Sequence, residues 1–107
     1  MRLAELLSRT NDKLGYALIC DDAIIKADGI NRKTLYQELL QDIQEIHGRL
    51  KSDSRKQWLY LAITVFSEYS NRAIFTDDKE WCEMISTAVR YFRSAINNDP
   101  HKVDHFL

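Results

Sequence analysis

Apolar side chains recur three and four residues apart over residues 32–51, and this is the clearest pattern in the chain. Residues at these spacings share one face of an α-helix, so the pattern predicts an amphipathic helix. Asn31 suits its N-cap, because the side-chain oxygen can accept a hydrogen bond from a free backbone N–H of the first turn. The apolar positions are Leu35, Tyr36, Leu39, Leu40, Ile43, Ile46 and Leu50.

Two more helices, over about residues 55–74 and 78–97, follow from the same spacing. Asp77 and Glu80 fit a capping box at the start of the later helix. Pro100 lies just beyond its end, where the residue before a proline resists helical geometry. The earlier stripe comprises Trp58, Leu61, Ala62, Val65, Phe66, Tyr69 and Ala73, and the later one comprises Trp81, Ile85, Ala88, Val89, Phe92, Ala95 and Ile96.

The segment over residues 2–27 allows two interpretations. Apolar residues at heptad-like spacing predict a helix, continuous or broken once, that ends at Asp28 and Gly29. In the alternative, a short helix precedes a hairpin whose strands cover residues 16–20 and 23–27. The hairpin requires two exposed edges, and isolated hairpins are only marginally stable, so the helix is favoured.

Short loops join the four predicted helices, at about residues 2–27, 32–51, 55–74 and 78–97. Because short loops favour antiparallel neighbours, the chain is expected to be an up-and-down four-helix bundle, one all-α domain over residues 1–107 with a short C-terminal tail. The 3 glycines and 1 proline disfavour a turn-rich all-β fold, and an apolar content of 45% suffices for one core.

The sequence shows neither a segment long and apolar enough to cross a bilayer nor a signal-peptide pattern. We therefore expect a cytoplasmic protein without membrane contact. Cys20 and Cys82 lack the CxxC spacing of zinc and thioredoxin-type sites. In a reducing compartment they are expected to be free thiols in the core, not a disulfide.

Helical bundles can carry di-iron or nuclease sites, but the histidines fit neither pattern. A ferritin-like site needs Glu-x-x-His, whereas Gln44, Asn98 and Lys102 stand three residues before the three histidines. The Arg-to-His spacing of the HEPN nucleases is also missing. His101 and His105 could hold a metal on one helical turn, although a solvated tail is the favoured interpretation. We therefore predict no enzyme activity, no cofactor and no metal site.

Charged residues of opposite sign gather at the two ends of the predicted bundle, although the net charge is only −1. A near-neutral chain disfavours a dedicated nucleic-acid binder. Helix capping explains Asp77 and Asp78, whereas Asp21 and Asp22 are expected in mid-helix, where capping does not apply. The basic end comprises Arg49, Lys51, Arg55, Lys56, Arg90 and Arg93, and the acidic end comprises Asp28, Asp77, Asp78 and Glu80 with Asp21 and Asp22 nearby.

Several apolar residues fall outside the main stripes and predict a contact face for a partner or a second copy of the chain. A wide core stripe is the alternative explanation. The candidate partner-binding residues are Leu59, Tyr60, Ile63 and Tyr91 from this group, with Arg49, Lys51, Arg55, Lys56, Asp21 and Asp22 from the charged ends.

In helix number, length and charge the chain resembles the small four-helix immunity proteins that protect bacteria from their own bacteriocins. The resemblance is one of overall shape and includes no residue motif. It implies a protein that binds another protein and blocks it. Residues 91–100 also resemble the end of the second helix of a tetratricopeptide repeat, but a single copy argues against a repeat array.

The leading hypothesis is a small cytoplasmic helical interaction protein, bacterial or from a phage, that inhibits, neutralises or organises another protein. It would act as an immunity protein, an antitoxin-like inhibitor, a regulator or an adaptor. The alternative is a nucleic-acid-associated regulator that uses the basic end around residues 49–56, and its binding would weaken steeply with salt. A homodimer is a further alternative.

Overall fold

The structure is a computed structural model that describes residues 1–51, 53–69 and 72–97. These residues form helices and loops without a strand, so the all-α prediction is confirmed. The elements are α1 (Leu3–Ala17), α2 (Asp22–Ala27), α3 (Arg32–Arg49), α4 (Asp53–Glu68), a 3-10 helix (Arg72–Phe75) and α5 (Asp78–Ile96).

The segment predicted as a helix over residues 2–27 is broken once, and the hairpin alternative is wrong. After residue 21 a new helix begins, because the Asp21 carboxylate accepts a hydrogen bond from the Ala23 backbone N–H at 2.9 Å. It ends at Gly29, whose φ of 77° lies in the left-handed region that glycine adopts without strain. Asp21 and Asp22 therefore lie at a helix start, and their expected mid-helix position is corrected.

The predicted caps of α3 and α5 are confirmed. Asn31 accepts hydrogen bonds from the backbone N–H groups of Lys33 and Thr34 at 2.8 and 3.3 Å. The Asp77 carboxylate accepts one from the Glu80 N–H at 3.1 Å. The helix predicted to continue to residue 74 instead ends at Glu68, and a 3-10 helix occupies part of the remainder.

The four long helices enclose one core. α3 lies against α1 and α4, and α5 lies against α4 and α1, so each long helix has two neighbours. The Tyr36 hydroxyl donates to the Phe66 carbonyl at 2.6 Å and thereby joins α3 to α4. The Cα radius of gyration is 13.5 Å, close to the value of about 13 Å for a compact domain of about 100 residues.

The core contains the predicted apolar stripes and some residues that were not assigned to them. Leu39, Ile43, Phe66, Trp81 and Phe92 are fully buried as expected. Burial of one such side chain stabilises a fold by about 1.5–3 kcal/mol. Leu59 and Met84, which fell outside the predicted stripes, are also fully buried. So are two residues with polar or charged side chains, Thr10 and Arg32.

Two predictions concern residues outside the described part of the chain. The short C-terminal tail lies there, as does the candidate metal pair His101 and His105. Among the described helices, none is both long and apolar enough to cross a membrane.

Candidate functional site

An aromatic pair lies at the seam between α4 and α5. The ring centroids of Trp58 and Tyr91 are 5.9 Å apart, with planes inclined by 31°. Tyr91 is half-buried, and Trp58 remains 36% exposed. The apolar spacing placed Trp58 in the core stripe of α4, so its exposure is a correction. The second ring holds the indole in one position while part of the indole remains exposed. Such a side chain offers an apolar surface to a partner and loses little conformational freedom on binding.

The predicted contact face of Leu59, Tyr60, Ile63 and Tyr91 is divided in the structure. Leu59 is fully buried, so the expectation that it lies off the core is wrong. Ile63 is half-buried and packs against the core, whereas Tyr60 is 61% exposed. Since successive helical residues are rotated by about 100°, Tyr60 projects roughly 200° away from Trp58. Tyr60 therefore lies on another side of α4, and we call Trp58 and Tyr91 the aromatic surface.

Cations flank the aromatic surface. The contact between Trp58 and Tyr91 brings the first turns of α4 beside the last turns of α5. Arg55 and Lys56 are half-buried there, and Arg90 is exposed. Within the described residues, none of these three cations has a carboxylate at ion-pair distance. Their charges are therefore not matched by a carboxylate in that part of the chain.

Two of the other predicted basic residues, Arg49 and Arg93, have partners within the chain. Arg49 pairs with Glu45 at 3.7 Å, and both side chains are largely exposed, so the pair adds little stability. Arg93 is half-buried and donates to the Asn11 side-chain oxygen at 3.4 Å, which directs it toward α1. Lys51 is exposed just after α3.

The opposite end contains a buried cation that the apolar pattern did not reveal. The Arg32 side chain is 1% exposed, and its Nη1 lies 2.8 Å from Asp78 Oδ1. Its Nε lies 3.6 Å from Asp22 Oδ1, and its guanidinium carbon lies 5.2 Å from the centroid of the Trp81 ring. We call Arg32, Asp22, Asp78 and Trp81 the arginine cluster.

The arginine cluster joins α2, α3 and α5, and Trp81 adds a contact with α1. The Asp22 backbone N–H donates to Asp78 Oδ1 at 3.2 Å, and the Trp81 indole donates to the Ala17 carbonyl at 2.7 Å. Within the described residues the Arg32 guanidinium makes no well-aligned hydrogen bond. Its positive charge is balanced instead by the carboxylates of Asp22 and Asp78 and by the face of the Trp81 ring.

Asp21, Asp28 and Asp77 at this end also have partners within the chain. Asp21 and Asp77 cap α2 and α5. Asp28 accepts a hydrogen bond from the Tyr16 hydroxyl at 2.6 Å, and this bond, helped by desolvation and the nearby negative charge, raises the pKa of that phenol. Asp22 additionally pairs with Lys26 at 2.9 Å. These contacts favour a structural role for Asp21 and Asp22 over the predicted role in partner binding.

Cys20 and Cys82 form a disulfide, so the expectation of two free thiols is wrong. The bond joins residues 18–21, between α1 and α2, to the second turn of α5. Their Cα atoms are 5.4 Å apart, within the usual range for a disulfide. The break between α1 and α2 brings Cys20 toward α5, and a continuous helix would not have suggested this contact.

Neither the side-chain chemistry nor the comparisons assign an activity. The described residues include no group of three or more histidine, cysteine, aspartate or glutamate side chains that could hold a metal ion. Searches of protein-family models, curated proteins and solved structures find no significant match to this chain. The aromatic surface with its flanking cations is thus the candidate site that the geometry supports best.

Proposed function

We propose that this chain is a small helical interaction protein that binds an acidic surface of another protein through the aromatic surface. The observation that carries the proposal is the solvent-open Trp58 ring packed against Tyr91, beside cations that have no carboxylate partner in the described residues. The few residues that dominate the binding energy of protein interfaces are enriched in tryptophan, tyrosine and arginine. Unmatched positive charge speeds encounter with an acidic partner.

Binding of this kind suits inhibition, neutralisation or organisation of the partner, because a bound helical body covers the surface that it contacts. These are the actions of immunity proteins, antitoxin-like inhibitors and adaptors. We propose the cytoplasm as its location, where thiol reductants would act on the disulfide, and another protein as its partner, with a homodimer as the alternative.

We also infer that the four long helices alternate in direction, as in an up-and-down bundle. Side-chain pairs between neighbours support this order, since an early residue of one helix meets a late residue of the next. Arg9 pairs with Asp42 while Lys13 pairs with Glu38. Trp58 likewise meets Tyr91. The alternation places the cations of α4 and α5 at one end.

Site-specific crosslinking tests the proposed contact. A photoreactive phenylalanine analogue replaces the half-buried Tyr91 in one variant and Ile24, a more accessible residue of α2 that is 51% exposed, in the control. In extracts of the host cell, we expect one protein to be crosslinked from position 91 and not from position 24. Trp58→Ala should reduce capture by about tenfold, the effect of losing one aromatic contact of about 1.4 kcal/mol. Equal capture from both positions would contradict the proposed surface.

Charge reversal separates the protein partner from the nucleic-acid alternative. Arg55→Glu with Lys56→Glu should weaken capture of an acidic protein, while Lys33→Glu, an exposed change at the other end, should leave it unchanged. If nuclease treatment abolishes capture, the nucleic-acid alternative replaces the proposal. If the chain sediments as a dimer that Trp58→Ala dissociates, a second copy is the partner.

A further inference from the structure

The disulfide between Cys20 and Cys82 is accessible from solvent. Both cysteines are half-buried, and both line an open cleft beside α5. Lys79, Ser86 and Thr87 form part of the same cleft. Thiol–disulfide exchange requires that an attacking thiolate reach one of the two sulfurs, so access decides whether a disulfide can react. This disulfide meets that requirement.

The disulfide anchors an element that has few other anchors. α2 has 6 residues, and a helix of this length is not stable alone in water. Four of its residues are exposed, and only Ile25 is fully buried. Its other polar attachments are the ion pair of Asp22 with Arg32, the hydrogen bond from the Asp22 backbone N–H to Asp78, and the Tyr16–Asp28 hydrogen bond at its C-terminal end. The four long helices share a core to which Ile25 does not belong.

We propose that the Cys20–Cys82 disulfide is a reversible redox latch, opened by dithiol reductants, that holds α2 over Arg32. A thiolate of the dithiol attacks one sulfur and forms a mixed disulfide, and the other cysteine leaves as a thiolate that takes a proton. The second thiol of the reductant then displaces the remaining cysteine. Two electrons pass to the protein, which ends with two thiols, and the reductant ends as its own disulfide.

Opening the latch changes the surroundings of Arg32 and leaves the four-helix core intact. Asp22 departs with α2, whereas Asp78 and Trp81 remain on α5. Arg32 then loses one of its two carboxylates and becomes accessible to solvent. The reduced Cys20 thiol has an acceptor in place, because its sulfur lies 3.2 Å from the Leu18 carbonyl oxygen. The released state therefore presents a cation that the latched state conceals.

Hydrogen exchange of the whole protein, before and after reduction by dithiothreitol, tests the latch. Titration of free thiols confirms that both cysteines are reduced. We expect amides of residues 18–28 to exchange about tenfold faster after reduction, while those of α4 and α5 keep their rates. Reoxidation with oxidised glutathione should restore the slow rates.

Two variants make the result specific. Cys20→Ser with Cys82→Ser should exchange rapidly over residues 18–28 whether or not dithiothreitol is present. Ile24→Ala, an exposed change in α2 that keeps both cysteines, should retain the redox response. Unchanged exchange in fully reduced protein would overturn the latch, as would loss of protection in all helices together or a disulfide that resists dithiothreitol in the native state.

Discussion

The two ends of the helical body use charged residues in opposite ways. At the arginine cluster, each of Asp21, Asp22, Asp28, Asp77 and Asp78 has a partner within the chain. At the aromatic surface, Arg55, Lys56 and Arg90 have no carboxylate at ion-pair distance in the described residues. An accumulation of one charge sign therefore does not identify a binding surface. The distinguishing feature is whether the charges are already matched.

The two tryptophans show the same contrast. Trp81 is fully buried, donates its indole N–H to Ala17 and lies against Arg32. Trp58 is 36% exposed and lies against another ring. A buried tryptophan whose N–H has a partner stabilises the fold, whereas an exposed one beside unmatched charge offers a contact to another molecule.

The largest expected effect is that of Arg32→Ala. The substitution leaves Asp22 and Asp78 without their shared cation and creates a cavity beside Trp81. Truncation of a large, fully buried side chain to alanine costs about 2–5 kcal/mol, and Asp22 and Asp78 also lose a cation, so we expect a loss of about 4 kcal/mol in the free energy of unfolding, measured by urea titration. Arg49→Ala, which removes an exposed pair, should cost at most about 1 kcal/mol. Equal losses would show that the two ends do not differ as described.

A somewhat smaller effect is expected for Leu59→Ala, which tests where the core ends and the contact surface begins. Leu59 is fully buried, so its truncation should lower the free energy of unfolding by about 3 kcal/mol. Its neighbour Tyr60 is 61% exposed, and Tyr60→Ala should change that free energy by about 0.5 kcal/mol or less. Thermal or urea unfolding of both variants provides the measurement. A larger loss for Tyr60→Ala than for Leu59→Ala would reverse the assignment.

Local sequence signals predicted the local features of this fold. The caps formed by Asn31 and Asp77 and the buried stripes of α3 and α5 depend on residues within one or two helical turns of each other. The all-helical class follows from these signals, because the same apolar spacing recurs along most of the chain. Tyr60 is exposed, as its position outside the core stripes predicted, whereas Ile63 and Tyr91, which were chosen on the same ground, are half-buried and pack against the core.

Features that depend on distant residues were not predictable in this way. Arg32 follows an N-cap, a position that is ordinarily solvated, and only the approach of α2 and α5 buries it. The break between α1 and α2 has one local signal, the capping capacity of Asp21, which competes with a continuous apolar spacing. The disulfide depends on that break. Trp58 fits the core stripe by spacing, yet it remains 36% exposed beside Tyr91 of α5.

The smallest effect expected is a pH dependence at the Tyr16–Asp28 hydrogen bond, near the arginine cluster. The phenol donates to the carboxylate at 2.6 Å, and this bond raises the pKa of Tyr16 above its ordinary value of 10.0. Because the folded state holds the phenolic proton more tightly than the unfolded state, the bond stabilises the fold fully below pH 10.0. That contribution is lost as the pH rises through the raised pKa.

Tyr16→Phe removes this proton, so its urea midpoint should fall less steeply than that of the native protein as the pH rises above 10.0. Burial also raises the pKa of Tyr36, but that residue is present in both proteins and cancels in the comparison. Tyr60→Phe, which removes a hydroxyl from an exposed ring, should follow the native pH profile. If Tyr16→Phe and the native protein lose stability in parallel, the carboxylate does not hold this proton in the folded state. The matched charges at this end would then be limited to the arginine cluster and the helix caps.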